Sequence, residues 1–464
     1  MSATLSNISQ TAYAGWQSML GIGVEATPGA PVAASRMLMR KSGVLNFEQE
    51  KIEREVLMNI PGILGVVQGE SDIKGSLKIG FSPESCDELL SMFFGAPTTT
   101  AITALTAPTA TVANVGTPGT TTAAYTVIAS NALGDSAAST AASTSTGNAA
   151  LSATNYNLVS WAPVQGATLY KVLKAGALVG TTTGVSFADT GYTTSVYAAP
   201  TLSSGNLQTW LITNAMTPST LAEFFGGMYN IYAGVYGDKL DISFDQAAKT
   251  ELEIDVDLRA LWMTSGLTAA SSGLSTAVVD SLAALPNAYG NFTLGGAQAA
   301  AKSFKLTINR NLEAKECLNG YSGPVSMIPG IPTYDLEAVF YFDSDSIMRQ
   351  FWGQVGSTGT YSPVINANTY SIEAAIALPR NTTSGIANIF GAYFPTTSIT
   401  SVSRGNLDAK GAVTQTVKFK PIYSLGLGAS AKLYLTNSRA NTSIVTAGTP
   451  ITGVTGGNVF PYSN

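Results

Sequence analysis

The chain has 464 residues, of which only 11% are charged, with 24 Lys plus Arg against 29 Asp plus Glu and a net charge of -5. That length exceeds the usual limit of one hydrophobic core, so two or three domains are expected, and the charge falls well below the globular norm of about 25%. The sequence has no histidine, which removes the commonest general base and metal ligand, and its acidic balance argues against wrapping nucleic acid, which needs Lys and Arg clusters.

Met1 to Leu20 lacks a basic stretch followed by an apolar one, so no secretory signal is expected. No apolar run reaches the ~20 residues that span a bilayer, so membrane insertion is not expected either. Gly21-Ile22-Gly23 has no third glycine at dinucleotide spacing, and no Gly-Lys-Ser or Gly-Lys-Thr loop occurs, so nucleotide binding is not expected. An acidic strand is expected around Phe47 to Glu55. Its run Glu48, Glu50, Lys51, Glu53, Arg54 and Glu55 reads either as a solvated face or as an interface between packed copies. Next, the alternating strand Ser76 to Phe81 feeds a short helix, Asp87 to Gly95, with Leu89, Leu90 and Phe93 on its buried side and Gly95 as its stop.

Composition then changes. Between Thr98 and Gly205 the charged residues are Asp135, Lys171, Lys174 and Asp189. Strands are expected at Ala124 to Ala129, Tyr156 to Trp161, Ala167 to Leu173 and Val185 to Asp189, with turns at Asn131 to Asp135 and Ala162 to Val164. This inserted segment resembles a fibronectin type III or immunoglobulin-like domain, with Trp161 as its core tryptophan.

Beyond the insert, strands are expected at Leu207 to Thr213, Leu240 to Phe244 and Leu252 to Leu258, with Phe224-Phe225-Gly226 between the first two. The low-charge stretch Thr264 to Lys302 reads as a connector, with a short helix over Thr276 to Leu285 ended by Pro286. A second series follows: Phe304 to Glu316, Tyr334 to Phe340, the helix Asp345 to Gly353 with Ile347, Met348 and Phe351 buried, Tyr370 to Ile376, Ile389-Phe390-Gly391, Ile399 to Val402, and Val413 to Phe419. Tyr370 to Ile376 is matched to Leu207 to Thr213, and Ile389-Phe390-Gly391 to Phe224-Phe225-Gly226. Element order and approximate spacing recur, as in an old tandem duplication. The tail from Thr436 to Asn464 reads as loose, or as an arm that orders on assembly.

The expected division is therefore a first module over 1–97 and 206–263, an inserted domain over 98–205, a linker over 264–302, a second module over 303–435 and a tail over 436–464. Cys86 and Cys317 are expected as free buried thiols. Leu252 to Leu258 alternates apolar and acidic residues, so Glu253, Asp255 and Asp257 share one face. That face is either solvated or an acidic stripe, and a glycosidase carboxylate pair is not expected, for want of a cleft. The matching strand carries Lys418 and Lys420 instead, so the two strands are candidates for partners between copies.

Gly21 to Val32, the strand-helix-strand order and the scarcity of charge resemble phage tail tube proteins. The resemblance implies a mainly β fold with short helices: two tandem tube modules of β-sandwich or half-barrel type plus the inserted immunoglobulin-like sandwich. It further implies the tube subunit of a long-tailed, siphovirus-like phage, made in the host cytoplasm and resident in the virion tail. Trimeric, pseudo-hexameric rings would stack into a conduit for genome delivery. Its partners would be further copies, the tape measure and terminator proteins, and DNA passing through without specific binding. No enzyme activity, metal or cofactor is expected. The alternative is an adhesin that binds host glycans through the inserted domain.

Overall fold

The computed structural model describes residues 18–53, 66–102, 105–131, 134–197, 205–245, 251–279, 290–316, 323–342, 346–351, 369–377, 388–405, 413–437 and 448–451. The chain begins with β1 (Met19–Val24), β2 (Arg36–Met37), β3 (Met39–Glu53), β4 (Val66–Gly80) and helix α1 (Cys86–Phe94), and β5 (Thr98–Ile102) follows. Eight short strands come next: β6 (Ala110–Val115), β7 (Thr121–Ser130), β8 (Ala142–Gly147), β9 (Tyr156–Trp161), β10 (Leu169–Lys174), β11 (Ala177–Thr182), β12 (Ser186–Asp189) and β13 (Ser195–Val196). The main body resumes with β14 (Gly205–Leu211), β15 (Ser219–Phe225), β16 (Met228–Asp245), β17 (Glu253–Ala260) and β18 (Trp262–Thr264). Then come β19 (Gly290–Leu294), β20 (Ala297–Gln298), β21 (Ala301–Asn309), the hairpin of β22 (Glu313–Lys315) and β23 (Ser326–Ile328), and β24 (Thr333–Tyr341). Helix α2 (Ser346–Phe351), β25 (Thr369–Ala377), β26 (Ile389–Arg404), β27 (Thr414–Pro421) and β28 (Lys432–Asn437) complete the chain. The fold is mainly β, and the two helices among the described residues are short. Neither is long and apolar enough to cross a membrane.

Eight strands run side by side, all antiparallel, in the order β3-β4-β17-β16-β21-β24-β27-β26. Their alternating sequences send one set of side chains into a common core and leave the other on a polar face. On β17, Ile254, Val256 and Leu258 are buried while Glu253, Asp255 and Asp257 point the other way. β16 and β26 are long enough to belong to two layers. Their first halves pair with β15 and β18, and with β25 and β28, behind the core, while their second halves lie in the eight-stranded row.

The same irregularities recur in both halves. β3 bulges between Arg40 and Ser42 against β4, and β21 between Ala301 and Ser303 against β24. β16 bulges between Gly237 and Lys239 against β17, and β26 between Ile399 and Ser401 against β27. A third pair falls between Ser219 and Leu221 and between Tyr370 and Ile372. A bulge is a local kink at a fixed register position, so three coincident bulges align the halves residue by residue. Ser76 corresponds to Glu337, Asp257 to Lys418, Lys239 to Ser401 and Gly237 to Ile399.

This alignment corrects two expected matches. The counterpart of Tyr370 to Ile376 is β15, because β15 and β25 each form a hairpin with the following long strand, whereas β14 pairs with β5 and β28. Phe225 and Gly226 lie at that hairpin's turn, while Ile389 to Gly391 lie within β26. The stretch 264–302, expected as a connector, contains β19 and β20, which answer to β1 and β2. Residues 276–279 form a turn and a bridge, with Val278 against Arg36, instead of a helix. Residues 280–285 lie outside the described residues, as do Arg54, Glu55, Cys317, Trp352 and Gly353. In the tail, Pro450 bridges back to Val32 and Ile451 is buried, so this described part packs on its own chain.

Phe81, Phe244, Phe292, Phe304, Phe340 and Phe390 form a chain of ring contacts joining the two halves, with Phe81 and Phe390 centroids 4.3 Å apart. Helix α1 closes one end of this core with every residue buried, and Gly95, at φ 78°, ends it by donating its N–H to the Ser91 carbonyl. The Cys86 thiol is buried in it and accepts from the Ser82 N–H.

Residues 105–197 form a separate two-sheet sandwich, β13-β11-β10-β7-β8 against β12-β9-β6, around Tyr125, Val127, Val159, Trp161, Tyr170 and Val172. Trp161, 6% exposed, is a core residue there. Its two ends leave through β5 and β14, which pair with each other from Thr98 opposite Thr209 to Ile102 opposite Gly205. Since β14 also pairs with β28, the sandwich is tethered to the layer behind the core, away from the polar face.

Candidate functional site

The polar face of the eight-stranded row carries a network of ionised side chains. Register decides who meets whom. Asp255 lies opposite Lys78 of β4 and opposite Asp241 of β16, and Asp257 opposite Ser76 and Lys239. The Lys78 ammonium stands 3.3 Å from Glu253 and 3.7 Å from Asp255. Their carboxylates, Asp255 foremost, hold the Lys78 pKa above its usual value. Ser76 donates a hydrogen bond to Asp257. Lys239 pairs with Asp241 at 2.7 Å, which also raises the lysine, and Thr307 donates to the same carboxylate. Further along, Lys74 pairs with Glu48 at 2.9 Å and with Asp72 at 3.4 Å, and Arg259 lies 3.8 Å from Asp72.

Glu253, Asp255 and Asp257 therefore do share one face, but as members of a cross-strand network and not as a bare acidic stripe. In the second half the signs are exchanged: Lys418 of β27 pairs with Glu337 of β24 at 3.7 Å. Lys420 is exposed beside it and makes no ion pair among the described residues. β17 is flanked by β4 and β16, and β27 by β24 and β26. With both edges of each strand filled inside the chain, the two cannot pair with each other between copies as expected. Three strands of the row, β16, β21 and β24, separate them instead, and the row's free edges among the described residues lie elsewhere. Among the described residues, β3 is paired on one side only, and β26 beyond Ser398 only with β27.

The partners Lys74, Lys78, Lys239 and Asp241 were not singled out from sequence. Lys74, Ser76 and Lys78 do alternate along β4, but their meaning depends on the strand beside them. Two buried groups were also missed. Arg310 is wholly buried, donating to the Thr213 and Ala215 carbonyls, and burial draws its pKa down. It thereby pins the end of β21 to the loop before β15. Glu25 accepts from Thr220 and from the Gly29 and Gly234 N–H groups, and burial raises its pKa.

What this arrangement offers is a sheet face whose charges pair across strands, with recesses beside Glu337, Lys418 and Lys420 and beside Glu48, Glu70 and Asp72, and with two open edges among the described residues. The family model described as phage tail tube protein matches residues 15–421 of the sequence. No curated protein matches it.

Proposed function

This chain belongs to the phage tail tube protein family, and on that premise we propose that it is the tube subunit of a long-tailed, siphovirus-like phage, closing as trimers into pseudo-hexameric rings that stack into a conduit for the genome. One observation carries the reading. The four-strand unit β3-β4-β17-β16 is continued within one sheet by its equivalent β21-β24-β27-β26, and among the described residues the row ends on two free edges. An open row with a repeated unit closes by adding copies, which removes its edges. Three copies supply six equivalent units in a barrel roughly 45 Å across its backbone at ordinary strand spacing and tilt, wider than a DNA duplex.

The polar face then lines the lumen. Lys74, Lys78 and Lys239 are each held by carboxylates, so a passing duplex meets few free cations and slides without specific binding. Tape measure and terminator proteins would be the other partners of such a tube. The sandwich, of immunoglobulin-like or fibronectin type III type, projects outward from the layer behind the core. The adhesin alternative gains no support from the family match.

Electron microscopy of the purified full chain tests this reading, with rings or tubes expected and dispersed monomers at high concentration overturning it. Replacing residues 103–204 by a short Gly-Ser linker keeps the β5–β14 ladder and should leave the tubes intact.

A further inference from the structure

We propose that β26 of one copy pairs antiparallel with β3 of a second copy, in the register Ser401 to Glu48, Ser403 to Asn46 and Gly405 to Val44, repeating between chains the β16–β21 junction found within one. The proposal rests on the tube reading above and adds to it the two edges, their register and their charge contact.

The internal junction sets Lys239 opposite Asn309, Asp241 opposite Thr307 and Ser243 opposite Lys305. The coincident bulges carry Lys239 onto Ser401 and Asp241 onto Ser403, and carry Asn309 onto Glu48 and Thr307 onto Asn46. The register follows without any free choice.

Exposure at equivalent positions supports a second copy as the occupant. Ile308, at the internal junction, is wholly buried, while its equivalent Phe47 is 43% exposed and would come to lie opposite Val402. Leu261 and Trp262, which follow β17, are covered by Leu312 and Met327 from beyond β21. Ile422 and Tyr423 follow β27 in the same order and are 40% and 59% exposed. In each case the exposed residue lies toward an outer end of the row, and its equivalent at the internal junction is covered by the other half.

Charge points the same way. The ladder pair Glu48 and Asp72 occupies the place of the uncharged pair Asn309 and Thr333. With Glu50, Glu70 and Glu316 they line one recess at the β3 edge, and there Glu70 is pushed up to about 6, chiefly by its hydrogen bond to Glu316 and by the surrounding carboxylates. A charged edge resists indiscriminate strand addition. The β26 edge brings the matching cations: Lys418 stands one strand in from Ser401, with only a serine side chain between it and Glu48, and Lys420 lies farther along toward Glu50.

The test uses the full chain with Cys317→Ser, in which Ser403→Cys is combined with Asn46→Cys or, two residues out of register, with Glu48→Cys. Assemblies are imaged, oxidised and separated without reductant. The in-register pair should give covalent oligomers at least about tenfold above the displaced pair, since a disulfide needs Cβ atoms about 4 Å apart. Rings that form while the displaced pair links as well, or while neither links, overturn the register and leave the tube reading standing. A chain that forms no rings overturns both. Separately, Lys418→Glu with Lys420→Glu should raise the concentration needed for assembly about tenfold, and adding Glu48→Lys with Glu50→Lys should restore it. Equal assembly of all three proteins, each checked for native circular dichroism, overturns the charge contact.

Discussion

The two halves of the main body share three bulges yet fill equivalent places differently, and the sharpest contrast is at their helices. Phe93 of α1 is wholly buried, its ring seated where a side chain on Gly237 would stand, 2.2 Å from a Cβ built there. In the second half the place of Gly237 is taken by Ile399, and Phe351 of α2, expected on the buried side, is 39% exposed. Only a glycine on the long strand admits the ring. One repeat thus keeps its helix wholly buried, while the described part of the other packs on the core through Met348 and Ile347 and leaves Phe351 exposed.

Truncation breaks this contrast most directly. Phe93→Ala should cost about 4 kcal/mol, while Phe351→Ala should cost under about 1 kcal/mol, both read from urea unfolding of the full chain. Similar losses at the two positions would mean that the helices pack alike. Next in size, Gly237→Ala should cost about 2 kcal/mol through overpacking against Phe93. Because the clash needs the ring, Gly237→Ala should cost far less in a Phe93→Ala background, and a double-mutant cycle measures that coupling. Additive losses would place the strain elsewhere.

Much of this was legible in the sequence because it is local. Alternation marked β4, β17, β24 and β27, and the spacing from Asp87 to Gly95 marked α1 with its stop. What depends on a distant strand was not legible. β14 alternates and β15 does not, so the sequence pointed to β14, and only their partners, β28 against β16, decide that β15 answers to β25. β19 and β20 carry little alternation of their own and exist as strands by pairing with β25 and with each other. The acids of β17 were found, but Lys78, which pairs with Glu253 and Asp255, lies 175 residues from Glu253 on β4. Arg310 resembles a surface cation until the Thr213 and Ala215 carbonyls are brought to it.

The exchanged charges of the two repeats can be sharpened in the same manner. Lys78 faces two carboxylates, Glu253 and Asp255, whereas Lys418 faces Glu337 alone at 3.7 Å. All these groups are substantially exposed, so solvent screens them and neither Lys78→Met nor Lys418→Met should cost more than about 1 kcal/mol in the isolated chain. Lys78→Met should be the larger loss, and the gap should close in high salt. A salt-independent gap would mean that the lysine stems matter through packing instead of charge.

The smallest effect separates the acidic edge of β3 and β4 from its uncharged equivalent. Glu70, exposed at the rim of the recess there, is raised to about 6 from an ordinary 4.5, chiefly by its hydrogen bond to Glu316. A carboxyl raised on folding binds its proton more tightly in the native state, so its contribution to stability is complete below pH 4.5 and is lost as pH rises through 6. Glu70→Gln should remove this dependence, leaving stability flatter between pH 4.5 and 6.5 in a series of urea titrations. Asn309 and Thr333, at the equivalent ladder position, offer nothing to titrate. Assembly should then distinguish the two edges. If Lys418 and Lys420 of a second copy reach this recess, Glu70 should titrate lower in rings than in the free chain, because nearby cations favour the ionised form. Carboxyl NMR of labelled chains in both states reads the shift. An unchanged value in rings would leave the acidic edge solvated and move the lysines' partners elsewhere.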